Sequence, residues 1–294
     1  MYDVIIIGKG PAGISAALYT HRGKLKTLII GKDSSLLKAA EVHNYYGFPG
    51  GISGEELLRR GESQAKQLGI EILDDTILSI GFEECTFKVI TKDKELCSKT
   101  LLIATGQILT KLKIENIEKF EGKGIHYCVI CDGFFYTNKK VGILGYTDYA
   151  VHEALELLNF SKNLTIYTDG NSLNISAVSS DKLKLNNIQI NNKKIIKFEG
   201  EDNLEGLVFE DGLKENIEGI FIAYGQASSI DFARKLGILI DKESIVVDKD
   251  QKTNIEGLFS AGDCTGGLKQ ISIAVGQGAI AGQKIVEYIR NLSK

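Results

Sequence analysis

Two cysteines separated by two residues and followed at once by an acid, Cys128-Val129-Ile130-Cys131-Asp132, are the residues of this chain best suited to chemistry. Thiols at that spacing can close a small disulfide. A pair of this kind commonly opens a helix, where free N–H groups and the helix dipole favour thiolate over thiol. The pair therefore reads as a reversible dithiol, with Asp132 placed to hand a proton to a departing thiolate; the bland reading of Asp132 is a helix cap or a surface acid. Three other readings compete for the cysteines. A structural zinc needs two more ligands, and although His126 lies just ahead, Cys85, Cys97 and Cys264 stand alone with no second CxxC. A purely structural disulfide belongs to secreted chains, and two buried thiols need have no chemistry at all.

The remaining composition narrows the classes. With 294 residues, 43% hydrophobic and 25% charged, the chain can bury two ordinary cores but not obviously three. A net charge of −3, with Lys and Glu interspersed, leaves no basic footprint for nucleic acid. No apolar run approaches the length of about 18 residues needed to span a membrane, and the N-terminus opens directly on a strand pattern. A soluble, cytoplasmic protein without a membrane partner is expected. Five cysteines, an odd number, fit a reducing compartment with one working pair and three spare thiols.

The elements that must position this pair begin with Tyr2-Asp3-Val4-Ile5-Ile6-Ile7, a continuous apolar run expected of a parallel strand covered on both faces. It runs into Gly8-Lys9-Gly10-Pro11-Ala12-Gly13, and a helix is expected from Ile14 to Tyr19. Strand before and helix after give this G-x-G-x-x-G its meaning: a tight turn, close backbone approach to a pyrophosphate, and close helix–strand packing. The next strand, Thr27 to Ile30, ends on Gly31, where an acid would hold the ribose of NAD. Two later strands, Thr100 to Gly106 and Gly257 to Asp263, end in small flexible turns and favour FAD instead. Asp263, ahead of a glycine-rich helix start expected near Gly276 and Gly278, suits a ribityl hydroxyl, or else caps a helix. A second Rossmann-like unit begins with strand Val141 to Leu144, helix Ala150 to Leu158 and strand Leu164 to Tyr167. The fold class is therefore α/β, with two Rossmann-like, three-layer domains of the dinucleotide-binding type.

Taken in order, Gly8 to Gly13, Glu41-Val42-His43-Asn44-Tyr45, Gly47-Phe48-Pro49-Gly50, Ala104-Thr105-Gly106, Cys128 to Gly133, and Gly262-Asp263 with Gln270 and Ala274 resemble the low-molecular-weight flavoprotein thioredoxin reductases along nearly the whole chain. The resemblance implies a homodimeric FAD enzyme with one domain inserted into the other: residues 1–112 and 245–294 form the FAD domain, and 113–244 the domain carrying the CxxC. The charged stretches Lys111-Leu112-Lys113 and Asp241-Lys242-Glu243 suit such crossings. It also implies a cofactor site built from Gly8, Gly10, Pro11, Ala12, Gly13, Asn44, Ala104, Thr105, Gly106, Gly262, Asp263, Gln270 and Ile271, with Tyr45 beside the flavin and no metal. Cys131 then faces the flavin, Cys128 is its partner, and Asp132 is the acid. His43 and Tyr46 depart from the family's usual Glu and Pro.

The middle domain departs further. Where an NADPH-using relative reads Gly-Gly-Gly-Asp-Ser-Ala, this chain reads Gly145-Tyr146-Thr147-Asp148-Tyr149-Ala150, which puts side chains where phosphate oxygens would lie. Where the family carries a His-Arg-Arg run for the 2′-phosphate, Thr168-Asp169-Gly170 follows, with no Lys or Arg before Lys182. In these losses the chain resembles the ferredoxin-dependent flavin thioredoxin reductases. The expected function is transfer of electrons from reduced ferredoxin, through FAD and the Cys128–Cys131 disulfide, to thioredoxin. The alternatives are an NAD(P)H-dependent thioredoxin reductase with a divergent cofactor site, a FAD dithiol oxidase using oxygen, and a flavin-bearing binding module without chemistry.

Overall fold

The computed structural model describes residues 1–32, 34–83, 86–106, 112–225 and 227–292. Its contacts divide the chain into two compact units, Met1–Ile108 with Ser228–Lys294, and Leu109–Ala227, so the second is inserted into the first. The first stretch runs through β1 (Tyr2–Ile7), α1 (Pro11–Arg22), β2 (Thr27–Ile30), α2 (Gly54–Gln67), β3 (Glu71–Leu73), β4 (Ile77–Glu83), β5 (Thr86–Thr91) and β6 (Glu95–Ile103). The sheet order is β3-β2-β1-β6-β5-β4. Val4, Ile5 and Ile6 are fully buried, as a continuous apolar run predicts for a central parallel strand. Ile7 aligns with Ile30 on one side and Ile103 on the other, so these strands finish at one edge of the sheet. Residue types explain α1 as well: Pro11 is pre-set for the first helical position, and Ala12, Ala16 and Ala17 face the core.

The inserted unit contains α3 (Ile117–Phe120), β7 (Ile125–His126), α4 (Val129–Asp132), β8 (Val141–Leu144), α5 (Asp148–Leu157), β9 (Leu164–Tyr167), α6 (Ala177–Leu185), β10 (Gln189–Asn191), β11 (Ile195–Glu199), β12 (Gly206–Phe209), β13 (Lys214–Asn216) and β14 (Gly219–Ile222). A parallel sheet in the order β10-β9-β8-β14-β7 is joined by an antiparallel one, β11-β12-β13. Leu144, Tyr167, Phe198, Phe209 and Ile220 lie in one core, which ties the two sheets together.

The chain then returns through α7 (Ser229–Leu236), β15 (Ile240–Asp241), β16 (Ser244–Ile245), β17 (Leu258–Ser260) and α8 (Ile271–Leu292). The return falls at Ser228, not at the expected residue 245. Ser228 and Asp231 form a reciprocal capping box that starts α7, and this helix packs on β4 and β16 of the first unit. Asp241-Lys242-Glu243, taken as a domain crossing for its charge, spans the turn of the β15–β16 hairpin, with Lys242 at φ 55°. Lys111 of the other expected crossing lies outside the described residues. β17 adds to β6 in parallel, pairing Ser260 with Ile103.

α8 begins at Ile271, earlier than the start expected near Gly276 and Gly278. Those glycines lie inside the helix. A Cβ on Gly278 would stand 2.1 Å from the carbonyl oxygen of Ala12, and one on Gly282 would stand 2.6 Å from that of Ala16. Glycine here serves close packing of α8 on α1 rather than a helix start. Among the described residues no helix is long and apolar enough to cross a membrane.

Candidate functional site

The first unit opens a cleft at the edge where β1, β6 and β17 end, the place where open α/β sheets hold ligands. Gly8, at φ +110°, is required by the turn: a Cβ would stand 2.2 Å from the carbonyl oxygen of Ala104. Gly13 lies under the turn, where a Cβ would come within 1.9 Å of the Gly8 oxygen, so it packs helix to strand and does not line the cleft. Gly10 differs from both. It is the N-cap of α1, has no side-chain cap, and an added Cβ would meet only Ser34 Oγ at 3.5 Å. First-turn N–H groups without a cap, beside open space, are what a pyrophosphate needs, so the residues present fit FAD.

Gly8, Gly10, Pro11 and Ala12 line this cleft with Ala104, Thr105 and Gly106 from the end of β6. Gly262, Asp263, Gln270 and Ile271 close its far side. Gly262, at φ +88°, donates its N–H to Gln277 Oε1 at 2.8 Å, which anchors the turn carrying Asp263 to α8. Asn44 is not on the wall but donates to Gln270 Oε1 at 2.8 Å, so it orients a residue that is. Tyr45 lies in a neighbouring apolar hollow, stacked on Phe48 with ring centroids 5.9 Å apart. Lys9, Ser34 and Lys269 also line the cleft and were not foreseen. Lys9 occupies a variable position of the fingerprint and pairs with Glu62 at 3.1 Å and Asp74 at 2.5 Å. Burial disfavours its charge, but the two acids outweigh that and hold the amine above the ordinary lysine range.

In the inserted unit Cys128 and Cys131 are joined in a disulfide, with Cα atoms 5.3 Å apart. Cys128 caps α4, its Sγ accepting the N–H of Cys131 at 3.2 Å. Because α4 is a single turn, this local N–H, rather than a macrodipole, is what the fold offers the Cys128 sulfur. The two sulfurs are not equivalent: Cys128 is 3% exposed, whereas Cys131 faces solvent beside exposed Ile130, Phe134 and Phe135. Asp132 ends α4, and its Oδ2 lies 3.2 Å from Nδ1 of His126. On the other side of that ring, Nε2 lies 2.7 Å from the hydroxyl of Tyr136. His126, the residue a zinc reading would recruit, is thus engaged by an acid and a phenol. Tyr136, ten positions from His126, escaped the sequence reading, because only the fold brings them together. Of the remaining thiols, Cys264 is fully buried and its thiol is pushed up to about 11, chiefly by burial. Cys97 is half-buried, and Cys85 lies outside the described residues.

The second glycine turn has the same base as the first. A Cβ on Gly145 would meet the Ala223 oxygen at 2.1 Å, and Ala223 N–H bonds the Leu144 oxygen at 2.9 Å, just as Ala104 N–H bonds Ile7. What covers the two turns differs. The segment after β9 crosses this one: Thr147 and Asn174 form a parallel bridge, and Asn174 N–H donates to the Tyr146 oxygen at 2.8 Å. Asp148 Oδ1 accepts from Ser176 N–H at 2.9 Å and from its hydroxyl at 2.7 Å. Thr147 Oγ1 donates to the Gly225 oxygen. Tyr146 packs edge-on to Tyr224 at 5.1 Å. Asp169, a possible ribose ligand by its position, accepts from Ile195 N–H at 2.9 Å and from Tyr224 at 3.4 Å, and burial raises its pKa.

Comparison with known proteins agrees with this geometry. Residues 2–278 match the family described as pyridine nucleotide-disulphide oxidoreductase. A thioredoxin reductase of Listeria innocua is 34% identical over 307 aligned positions, covering 100% of this chain and 96% of that protein. The crystal structure of an atypical thioredoxin reductase from Desulfovibrio vulgaris Hildenborough superposes with a TM-score of 0.97 at 40% identity, covering 99% of each chain. A ferredoxin-flavin thioredoxin reductase from Clostridium acetobutylicum superposes with a TM-score of 0.73 at 26% identity, covering 100% of this chain and 99% of that one.

Proposed function

Since the chain belongs to the thioredoxin reductases, FAD-binding disulfide oxidoreductases within the pyridine nucleotide-disulphide oxidoreductase family, we propose that it reduces thioredoxin with electrons from ferredoxin rather than from a nicotinamide nucleotide. The observation that carries the choice of donor is the segment tied across the second glycine turn. On this reading a nucleotide seated at the turn displaces that segment and breaks the Asn174–Tyr146, Thr147–Gly225 and two Ser176–Asp148 hydrogen bonds. At about 1 kcal/mol each these four cost about 4 kcal/mol, which weakens binding by roughly a thousandfold. Likeness to the ferredoxin-flavin enzyme supports the same reading.

Bound in the cleft of the first unit, FAD would supply the electron pair that opens the disulfide. Gly10 and the first turn of α1 would hold its pyrophosphate, and Asp263 its ribityl chain. Cys131 would face the flavin, Cys128 would be its partner, and Asp132 would give a proton to the departing thiolate. The dithiol then attacks the disulfide of thioredoxin: a mixed disulfide forms, the second thiol resolves it, and the substrate leaves as a dithiol. A ferredoxin near about −400 mV driving a thioredoxin near about −270 mV releases about 6 kcal/mol per electron pair. The same reading carries a homodimer.

The family's description as pyridine nucleotide-disulphide oxidoreductase and the retained Gly145 turn favour a second reading, an NAD(P)H-dependent enzyme with a divergent site. Anaerobic titration of the flavoprotein separates them. Reduced ferredoxin should bleach the flavin and allow thioredoxin reduction, and neither NADPH nor NADH should bleach it at a useful rate. Full bleaching by NADPH within seconds would sink the ferredoxin reading, and steady hydrogen peroxide release from a thiol substrate would favour the oxidase.

A further inference from the structure

We propose that His126 and Tyr136 form a positioning pair for Asp132: the imidazole, held neutral, aims the acid at the cysteine pair without locking it as the anion of an ion pair. The inference rests on the dithiol chemistry above. Hydrogen-bond chemistry fixes the roles. A carboxylate only accepts, so Nδ1, 3.2 Å from Asp132 Oδ2, must carry the proton and donate. In a neutral ring Nε2 is then an acceptor, and the group 2.7 Å away, the Tyr136 hydroxyl, has a proton to give. Tyr136 therefore selects the tautomer that serves Asp132, as second partners of catalytic histidines generally do.

The pair is built into the sheet rather than carried by a loop. His126 ends β7, and its ring packs in a triangle with those of Tyr136 and Phe221 of β14, whose centroids lie 5.3 and 5.4 Å from it and 5.7 Å from each other. Tyr136 in turn lies flat on Gly219, where a Cβ would come within 2.4 Å of the phenol ring. The Tyr136 pKa is raised, first by burial and then by the charges of Asp132 and Glu218, and the Lys139 amine lies 5.4 Å from its ring centre. Asp132 is the charged group facing His126 itself, and burial wins over it, lowering the imidazole pKa.

Opening the disulfide with an electron pair breaks the S–S bond and requires two protons, and transfer to thioredoxin moves both to the substrate's sulfurs. Asp132 can relay a proton only if it can exist protonated for an instant. Beside a cationic imidazole it would be held as a carboxylate. A neutral donor keeps it oriented and still able to take a proton, so activity should fall on the acid side as His126 gains its second proton.

The test uses full-length FAD-loaded protein reduced anaerobically with dithionite, with the excess removed, and mixed with oxidised thioredoxin from about pH 5 to 8. Tyr136→Phe deletes the bond that favours neutral imidazole, and should move the acid limb of the transfer rate up by about one pH unit. His126→Phe should slow transfer about tenfold at neutral pH by removing the donor. His126→Asn, which restores an N–H but cannot titrate there, should recover most of that loss and flatten the acid limb. Flavin content and thermal midpoint report folding, and if His126→Phe fails them, the other two variants still decide. Acid limbs unmoved in both Tyr136→Phe and His126→Asn would overturn the proposal. A wild-type protein that transfers nothing to thioredoxin would instead overturn the function proposed above.

Discussion

Replacing Gly10 by Ala separates what the glycine turn does for the fold from what it does for a cofactor. Gly10 sits at φ −77° and ψ −175°, a conformation open to any L-residue, and the new Cβ makes only ordinary contact with Ser34. Losing chain entropy in the unfolded state stabilises by about 0.4–1 kcal/mol, and exchanging a glycine N-cap for alanine costs a similar amount, so apoprotein stability should change by less than about 0.5 kcal/mol. The Cβ would nevertheless stand in the space a pyrophosphate must enter. Losing one charge-assisted bond of about 1.5–3 kcal/mol weakens FAD binding roughly ten- to hundredfold. The control is Gly8→Ala. There a Cβ lies 2.2 Å from a backbone oxygen at φ +110°, so backbone strain and overpacking together should cost the apoprotein about 2–5 kcal/mol. Protein stripped of flavin and titrated with FAD by fluorescence quenching gives the affinity, and urea unfolding of the same samples gives the stability. If Gly10→Ala binds FAD as tightly as wild type, or loses as much stability as Gly8→Ala, this turn is not where the pyrophosphate sits.

Replacing Cys128 or Cys131 by Ser should in either case abolish thioredoxin reduction while leaving FAD bound, with the surviving thiol trapping a mixed disulfide on a thioredoxin that lacks its resolving cysteine; near-normal turnover by either variant would disprove the dithiol route. Stability should also depend on pH through Cys264. Its thiol is protonated in the fold up to about 11 while an unfolded thiol ionises near 9.0, so the folded state binds more protons in that window, and stability present below pH 9 is lost as pH rises through it. A urea midpoint whose alkaline decline is the same in Cys264→Ala would exclude this. On the acid side the sign reverses in origin: the His126 pKa is depressed below 6.5 in the fold, so the unfolded chain takes protons first and stability falls as pH drops below that value.

The legible parts of this sequence are those where one residue pattern has one structural solution. Tyr2 to Ile7, Thr27 to Ile30, Val141 to Leu144 and Leu164 to Tyr167 are strands with the bounds expected, because short apolar runs, the first three ending at glycine, suit buried parallel strands and little else. Glycines and charges were harder, since each has several uses. Gly276 and Gly278 suggested a helix start, yet at Gly278 the missing side chain lets α8 touch α1, a fact that depends on a partner more than two hundred residues away. Asp241-Lys242-Glu243 suggested an exit from the domain and instead turns a two-strand hairpin within it. At the CxxC, the sequence singled out Cys128, Cys131 and Asp132 and noted His126 only as a possible metal ligand, not as the link between Asp132 and Tyr136. Nothing in the spacing of ten residues forces a histidine at a strand end to meet a phenol; the packing of both on β14 does.

The second glycine turn shows why losing one fingerprint residue understates what separates the two units. Gly8 over Ala104 and Gly145 over Ala223 are built alike, so the base of a nucleotide site survives in both. In the inserted unit Asp148, an acid that the NADPH-using pattern also carries at this point, stands in the first turn of α5 and is bound by Ser176 from the crossing segment. The segment 171–176 alternates polar turn formers with Leu173 and Ile175, a pattern that names no partner, and its partners, Tyr146, Thr147 and Asp148, lie more than twenty residues earlier. Restoring glycine at 147 would therefore remove the Thr147–Gly225 tie and leave Asn174 on Tyr146 and Ser176 on Asp148 in place. A phosphate arriving there would still meet the crossing segment, with no arginine in the inserted unit to draw it in. On the reading proposed above, exclusion of a nicotinamide nucleotide rests less on what the turn lacks than on what is tied across it.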